Sequence, residues 1–262
     1  MISIRPTETR FVDIHHGDWD LHWAVQFPEG IFSARGMSMT WTPIYPEWVR
    51  KSEQAWWYEW RTTQEYIDNV PDYVGETNYV IGLVLKAELE AVENELRLAL
   101  TITNESPEAL ANVVCDGGCL RARNGQFTGS DEVAHSRVMI DGKMVNMAEL
   151  HRTIPERTAY ICDDQGQDEY GLKKSEHFWG SSTARVDAPV IVGAVSVDGE
   201  KALAIGYESS RSGLQNADDH HCLHSRPDFG DIAPGESVSR RGYVVFGNDI
   251  EKIAAALKPR IS

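Results

Sequence analysis

A chain of 262 residues, 42% apolar and 25% charged, has the make-up of an ordinary globular protein and can form one large β domain. Its net charge of −15 argues against nucleic acid as a partner, since phosphates would have to be neutralised, and against adsorption to an anionic membrane. No run approaches the ~18 apolar residues that span a bilayer.

The stretch from Met1 to Glu8 lacks the basic segment and apolar core of a secretion signal, so a cytoplasmic protein is expected. Residues 1–60 hold seven of the eight tryptophans: Trp19, Trp23, Trp41, Trp48, Trp56, Trp57 and Trp60. No linker, repeat or low-complexity tract separates this region, which is read as packed on the same body. From Asn78 to Val92 the chain is rich in β-branched and apolar residues, and Glu93-Asn94 supplies a tight turn. Leu96, Leu98, Leu100 and Ile102 then alternate with smaller or polar residues, the period of a half-buried strand. The two segments together predict a hairpin.

Further strands are predicted at 110–115, 134–140, 143–148, 157–162, 188–197, 201–208 and 237–246. Asp141-Gly142, Asp198-Gly199 and Pro234-Gly235 provide turns between several of them. One helix is expected near the end, with Asn248 as its cap and Glu251 completing a capping-box pattern. Ile250, Ile253, Ala254 and Leu257 form its apolar stripe, and Pro259 follows the stop. The sum is an all-β single domain over 1–262: an antiparallel β-sandwich, jelly-roll or mutarotase-like, with a short C-terminal helix. Cys115, Cys119, Cys162 and Cys222 are too few for a disulfide scaffold, and Cys115-Asp116-Gly117-Gly118-Cys119 is read as a pair of reduced thiols.

Chemistry is sought first at Asp218-Asp219-His220-His221-Cys222-Leu223-His224. On a strand, side chains two apart share a face and lie ~6.6 Å apart at Cα, so His220 with Cys222, or Cys222 with His224, can meet one metal. A helical turn would instead join His220 to His224. Neither conformation supplies the three or four ligands of a zinc site, so others must come from His15, His16, His22, His135, His151, His177 or the two aspartates. His220, Cys222 and His224 are the candidate ligands for a divalent metal such as zinc, and polar surface histidines are the plainer alternative.

A second group is Ser175-Glu176-His177-Phe178-Trp179-Gly180 with Arg185, where a histidine beside aromatics is suited to acid/base work. A third is Tyr207-Glu208-Ser209-Ser210-Arg211, at the end of an apolar strand; Arg211 and Arg226 can each fork onto a carboxylate. In Trp56-Trp57-Tyr58-Glu59-Trp60-Arg61 a flat face such as that of Trp57 suits stacking on a sugar, although tryptophan is also a core residue. Phosphate-binding glycine loops, G-x-S-x-G and H-E-x-x-H are absent.

Leu96–Asn104, His177-Phe178-Trp179-Gly180, the run from Cys222 to Asp231 and Ala233-Pro234-Gly235-Glu236-Ser237 resemble a group of bacterial β-sandwich proteins associated with polysaccharide degradation. The resemblance covers about the last two thirds of the chain and implies carbohydrate processing; it carries over no catalytic residues. The expected function is therefore elimination on an oligosaccharide or sugar acid, by a lyase or dehydratase. His177 or His221 would be the base and Tyr207 the acid. Trp179, Arg185, Arg211, Arg226 and Trp57 would bind substrate, with an arginine or a metal on its carboxylate. A metal-dependent hydrolase, a non-catalytic sugar-binding module and a subunit of a larger complex are the alternatives. The expected partner is a small saccharide, with homo-oligomerisation allowed.

Overall fold

The computed structural model describes residues 1–7, 11–19, 21–39, 47–69, 80–122, 127, 135–151, 159–162, 180–216 and 221–262. In the N-terminal third the strands are β1 (Ile2–Pro6), β2 (Phe11–His16), β3 (Leu21–Gln26), β4 (Gly30–Ser33), β5 (Gly36–Met39), β6 (Val49–Arg50) and β7 (Ala55–Arg61). A short helix, α1 (Gln64–Asp68), precedes the predicted hairpin β8 (Leu83–Val92) and β9 (Glu95–Asn104). Next come β10 (Leu110–Asp116), β11 (Cys119–Ala122), β12 (Ser136–Ile140), β13 (Lys143–Asn146), β14 (Ala159–Cys162) and β15 (Gly180–Arg185). The chain closes with β16 (Ile191–Val195), β17 (Ala202–Tyr207), β18 (Ser210–Asn216), β19 (Cys222–Ile232), β20 (Ser237–Gly247) and α2 (Ile250–Ile261).

These strands form two sheets. The smaller, of nine strands, runs β13-β12-β16-β17-β20-β9-β8-β7-β6. The larger, of eleven, runs β1-β2-β3-β11-β19-β10-β4-β5, with β18 added to β19 and β14 and β15 beyond it. Among the described strands only β14 with β15 is parallel. The Trp-rich region is thus woven into both sheets rather than laid over them. Trp23, Tyr58 and Trp60 enter the core between the sheets, because their strands alternate inward and outward.

The hairpin is as its sequence reads: Val92 pairs with Glu95, and Glu93 takes the left-handed conformation (φ 53°). Leu96, Leu98, Leu100 and Ile102 all face the core. The last helix differs in two details. Asp249, not Asn248, is its cap, accepting hydrogen bonds from the Glu251 and Lys252 N–H groups. Pro259 lies inside the last turn rather than beyond it. The helix continues because Ile261 is buried with Ile253, Ala254 and Leu257 in a second small core, on the face of β16 and β17 turned away from the larger sheet. Gly206 leaves room for this contact, since a Cβ there would lie 2.7 Å from Ile261 Cδ1.

Beside the continuous β19, two neighbouring lines of the larger sheet are interrupted at the same level. β10 and β11 both run antiparallel to β19, with Val114 opposite Asp228 and Leu120 opposite Leu223. Only Gly117-Gly118 separates them. On their other side β4 pairs with β10 and β3 with β11, with Asp116 opposite Gly30 and Cys119 opposite Gln26. Phe27-Pro28-Glu29 therefore faces the diglycine. A Cβ on Gly117 would meet Pro227 Cδ and the Tyr207 ring at 2.9 Å, so glycine is needed for the close approach. Among the described residues no helix is long and apolar enough to cross a membrane.

Candidate functional site

Alternation along β19 sorts its residues into two sets. Leu223 and Phe229 join the core between the sheets, and the Ser225 hydroxyl donates to the Val190 carbonyl at 2.9 Å. β19 makes its inter-sheet contacts with β16, β17 and β20 on this side. Cys222, His224, Arg226 and Asp228 consequently face the other way, onto the outer side of the larger sheet.

Register brings four further side chains to them. Arg121 is opposite Cys222, so Cys119, two residues earlier on β11, shares that outer face beside His224. Asp116 arrives from the end of β10, and Glu29 from the break before β4. Cys222 Sγ lies 3.1 Å from His224 Nε2, while His224 Nδ1 lies 3.4 Å from Glu29. Arg121 donates from Nε to Cys119 Sγ at 3.0 Å and stands 3.9 Å from Glu29. Arg226 is ion-paired to Asp116 at 2.5 Å and covers the Phe32 ring, 5.5 Å from its centroid.

The group is buried in depth and open at one end. Cys119, Cys222, His224, Arg226 and Asp116 are all buried. The side chains of Glu29 and Arg121 keep 15% and 19% of their surface. Burial pulls the His224 pKa down, but the Cys119 sulfur and the carboxylates of Glu29 and Asp116 outweigh it and push it up to about 9. Burial, reinforced by the neighbouring Cys222, holds the Cys119 thiol well above its ordinary value. Two sets of donor atoms lie within 4.8 Å of one another, Cys119/Cys222/His224 and Glu29/Asp116/His224.

The residues singled out from sequence are scattered. Cys222 and His224 are brought together, on a strand, and their neighbour is Cys119; His220, His177 and Trp179 lie outside the described residues. His221 points the opposite way from His224. It is buried near Trp23, with Nε2 3.1 Å from Ser136 Oγ, and burial, with His135 nearby, lowers its pKa to about 4. Tyr207 stands in the core between the sheets. Its ring presses on Gly242, where a Cβ would come within 2.3 Å, and its hydroxyl donates to the Gly117 carbonyl at 2.6 Å. Burial pushes that hydroxyl's pKa well up, so it is suited to holding its proton.

Arg226 belongs to the cluster, but as the partner of Asp116. Arg211 is 3.8 Å from Asp228 and lines a cleft of about 910 Å³ with Glu208, Arg240 and Lys258. The charges of that cleft are committed to one another and to neighbours, Lys258 to Asp187 at 3.0 Å and Glu208 to Arg241 at 3.2 Å. It holds none of the thiol and imidazole groups. Arg185 is exposed on β15. Trp57 is on the outer side of the smaller sheet, where Lys86 lies 5.5 Å from its ring. Of the other histidines, His16 stacks on Trp19 at 4.2 Å, and His15 and His151 are exposed.

Glu29, Asp116, Cys119 and Arg121 were not legible as site residues. Their one local signal is the diglycine flanked by an acid and a thiol, which marks a close approach but not what is approached.

No family model matches the chain, and no curated protein matches it in sequence. Among solved structures, an α-N-acetylgalactosaminidase from Bifidobacterium bifidum, in complex with GalNAc, is similar with a TM-score of 0.54 at 10% identity; the match covers 99% of this chain and 37% of that one. A galactose mutarotase-related enzyme from Lactobacillus acidophilus gives 0.48 at 9% identity, covering 95% and 98%. A polysaccharide lyase gives 0.47 at 11% identity, covering 98% and 34%. At 10% identity the likeness to the first of these is one of fold, and it agrees with the two-sheet antiparallel architecture described above.

Proposed function

We propose that the chain is a carbohydrate-active enzyme that acts on an oligosaccharide or sugar acid by elimination. Its site is the outer face of the larger sheet, at the open end of the buried cluster. The observation that supports this reading is the Glu29–Arg121 pair, a carboxylate and a guanidinium 3.9 Å apart and both partly open, beside the buried Asp116–Arg226 pair.

In such a step Glu29 takes the proton from the carbon next to the substrate carboxylate. The C–H electrons become the new C=C bond, the C–O bond to the leaving group breaks, and its oxygen takes a proton from water. Arg121 forks onto the substrate carboxylate and stabilises the charge that develops there. Asp116 is tied up by Arg226, which speaks against hydrolysis by a pair of carboxylates, because both would have to be available. The base is thus Glu29 rather than a histidine, which departs from the sequence expectation.

The test is incubation with uronate-containing oligosaccharides, followed by the ultraviolet absorbance of an unsaturated product. Glu29→Gln is expected to lower the rate about 10²–10⁴-fold, and Arg121→Lys to raise KM. Saccharide binding without turnover would mean a binding module. New reducing ends without new absorbance would mean hydrolysis.

A further inference from the structure

We infer that Cys119, Cys222 and His224 form a zinc site, independent of the saccharide reading. Three features point to it: the donor set, the groups behind the donors and the balance of buried charge. Two sulfurs and one imidazole nitrogen, all within 4.8 Å of one another, are a set selective for zinc over hard cations. They sit on adjacent strands of a rigid sheet, so no loop has to move to bring them together. Zinc is four-coordinate in such sites, and three protein ligands leave one tetrahedral position to a water.

Behind the donors are the groups that a metal site requires. His224 would ligate through Nε2, which faces Cys222, while Nδ1 faces Glu29 at 3.4 Å. A metal-bound histidine typically gives its other N–H to a carboxylate, and Glu29 is the carboxylate beside that nitrogen. Arg121 Nε–H is directed at Cys119 Sγ at 3.0 Å, a poor use of a guanidinium if the sulfur is a thiol but a good one if it is a thiolate. Gln26 lies opposite Cys119 in register and is 3% exposed. Its Oε1 has no hydrogen-bond partner among the described residues, and it is available to accept from a metal-bound water.

A coordinating thiol is deprotonated outright by the ion. Two thiolates then cancel the dication. Glu29 is matched by Arg121 and Asp116 by Arg226, so the whole buried group is neutral and every charge has a partner. The site differs from the His220–Cys222–His224 set expected from sequence by taking its third ligand from β11.

The experiment uses the full chain, purified reduced and without chelators. One zinc per chain is expected. After removal of the metal, titration with Co²⁺ should produce thiolate-to-cobalt charge-transfer bands that saturate at one equivalent. Cys119→Ser, Cys222→Ser and His224→Gln should each lose or weaken the bands. Glu29→Gln should lower affinity about 10–100-fold through the imidazole alone. Cys115→Ser, whose side chain faces the inter-sheet core, should leave the bands unchanged. Absence of co-purifying metal together with absence of the cobalt bands in the unaltered chain overturns the inference, and that measurement decides even if a variant fails to fold. Bands without saccharide turnover would uphold this site and remove the proposed activity; turnover without bands would do the reverse.

Discussion

The two faces of β19 carry opposite chemistry over the same few residues. Inward lie Leu223, Ser225 and Phe229; outward lie Cys222, His224, Arg226 and Asp228. Both faces are buried over Cys222–Arg226, so burial does not tell them apart. The histidines make the contrast plain. His221, buried on the inner side with His135 nearby, is pushed down to about 4, and His224, buried among sulfurs and carboxylates, is pushed up to about 9. Only position on the pleat separates them, three residues apart. A buried histidine therefore has meaning only once its face is known.

Breaking the outer face should cost most. Asp116→Ala leaves Arg226 buried without its carboxylate, and urea denaturation should show a loss of about 3–5 kcal/mol. Replacing both partners together, Asp116→Leu with Arg226→Met, should recover most of it. A single variant as stable as the parent would mean the pair is hydrated. On the inner face, Leu223→Ala should cost about 2–5 kcal/mol by the same measurement, through lost burial and the cavity left behind. It should spare cobalt binding, whereas Asp116→Ala should perturb it. Equal effects of the two variants on the cobalt spectrum would erase the distinction between the faces.

Tyr207→Phe tests the inner face more gently. It removes one buried hydrogen bond to Gly117, with an expected loss of about 1–3 kcal/mol and unchanged saccharide turnover. Lost turnover at unchanged stability would return Tyr207 to the site. The smallest effect lies away from β19. Burial disfavours the charge of Asp187, but Lys258 and the N–H groups of Gly142 and Asp141 outweigh it and hold its carboxyl below the usual range. Its contribution is complete above the ordinary carboxylate pKa of about 3.9 and is lost as pH falls through the depressed value. Denaturation across acid pH should show this limb flattened in Asp187→Asn.

Much of the architecture was readable because it is local. The hairpin 83–104 follows from period-two alternation around Glu93-Asn94, and the helix from its stripe at 250, 253, 254 and 257. Where two adjacent residues could both cap, alternation was silent, and the geometry at Asp249 decided. The strands β18 and β19 were hidden, because a segment buried on both faces with polar residues on one of them, Cys222 to Arg226, does not alternate between apolar and polar. Tyr207 reads as a strand-end polar group, but its hydroxyl is turned into the core by two glycines distant in sequence, Gly117 and Gly242.

By itself, then, the sequence determined that the chain is an antiparallel β protein with a terminal helix, and that Cys222 and His224, if on a strand, share a face. Those follow from backbone geometry, which repeats every two residues and needs no distant partner. The tertiary structure decided that Cys119, Arg121, Asp116 and Glu29 meet them, and that His221 and Tyr207 do not. That depends on register between strands far apart in the chain, set by packing of the whole core, where a slip of one residue would exchange every inward and outward side chain.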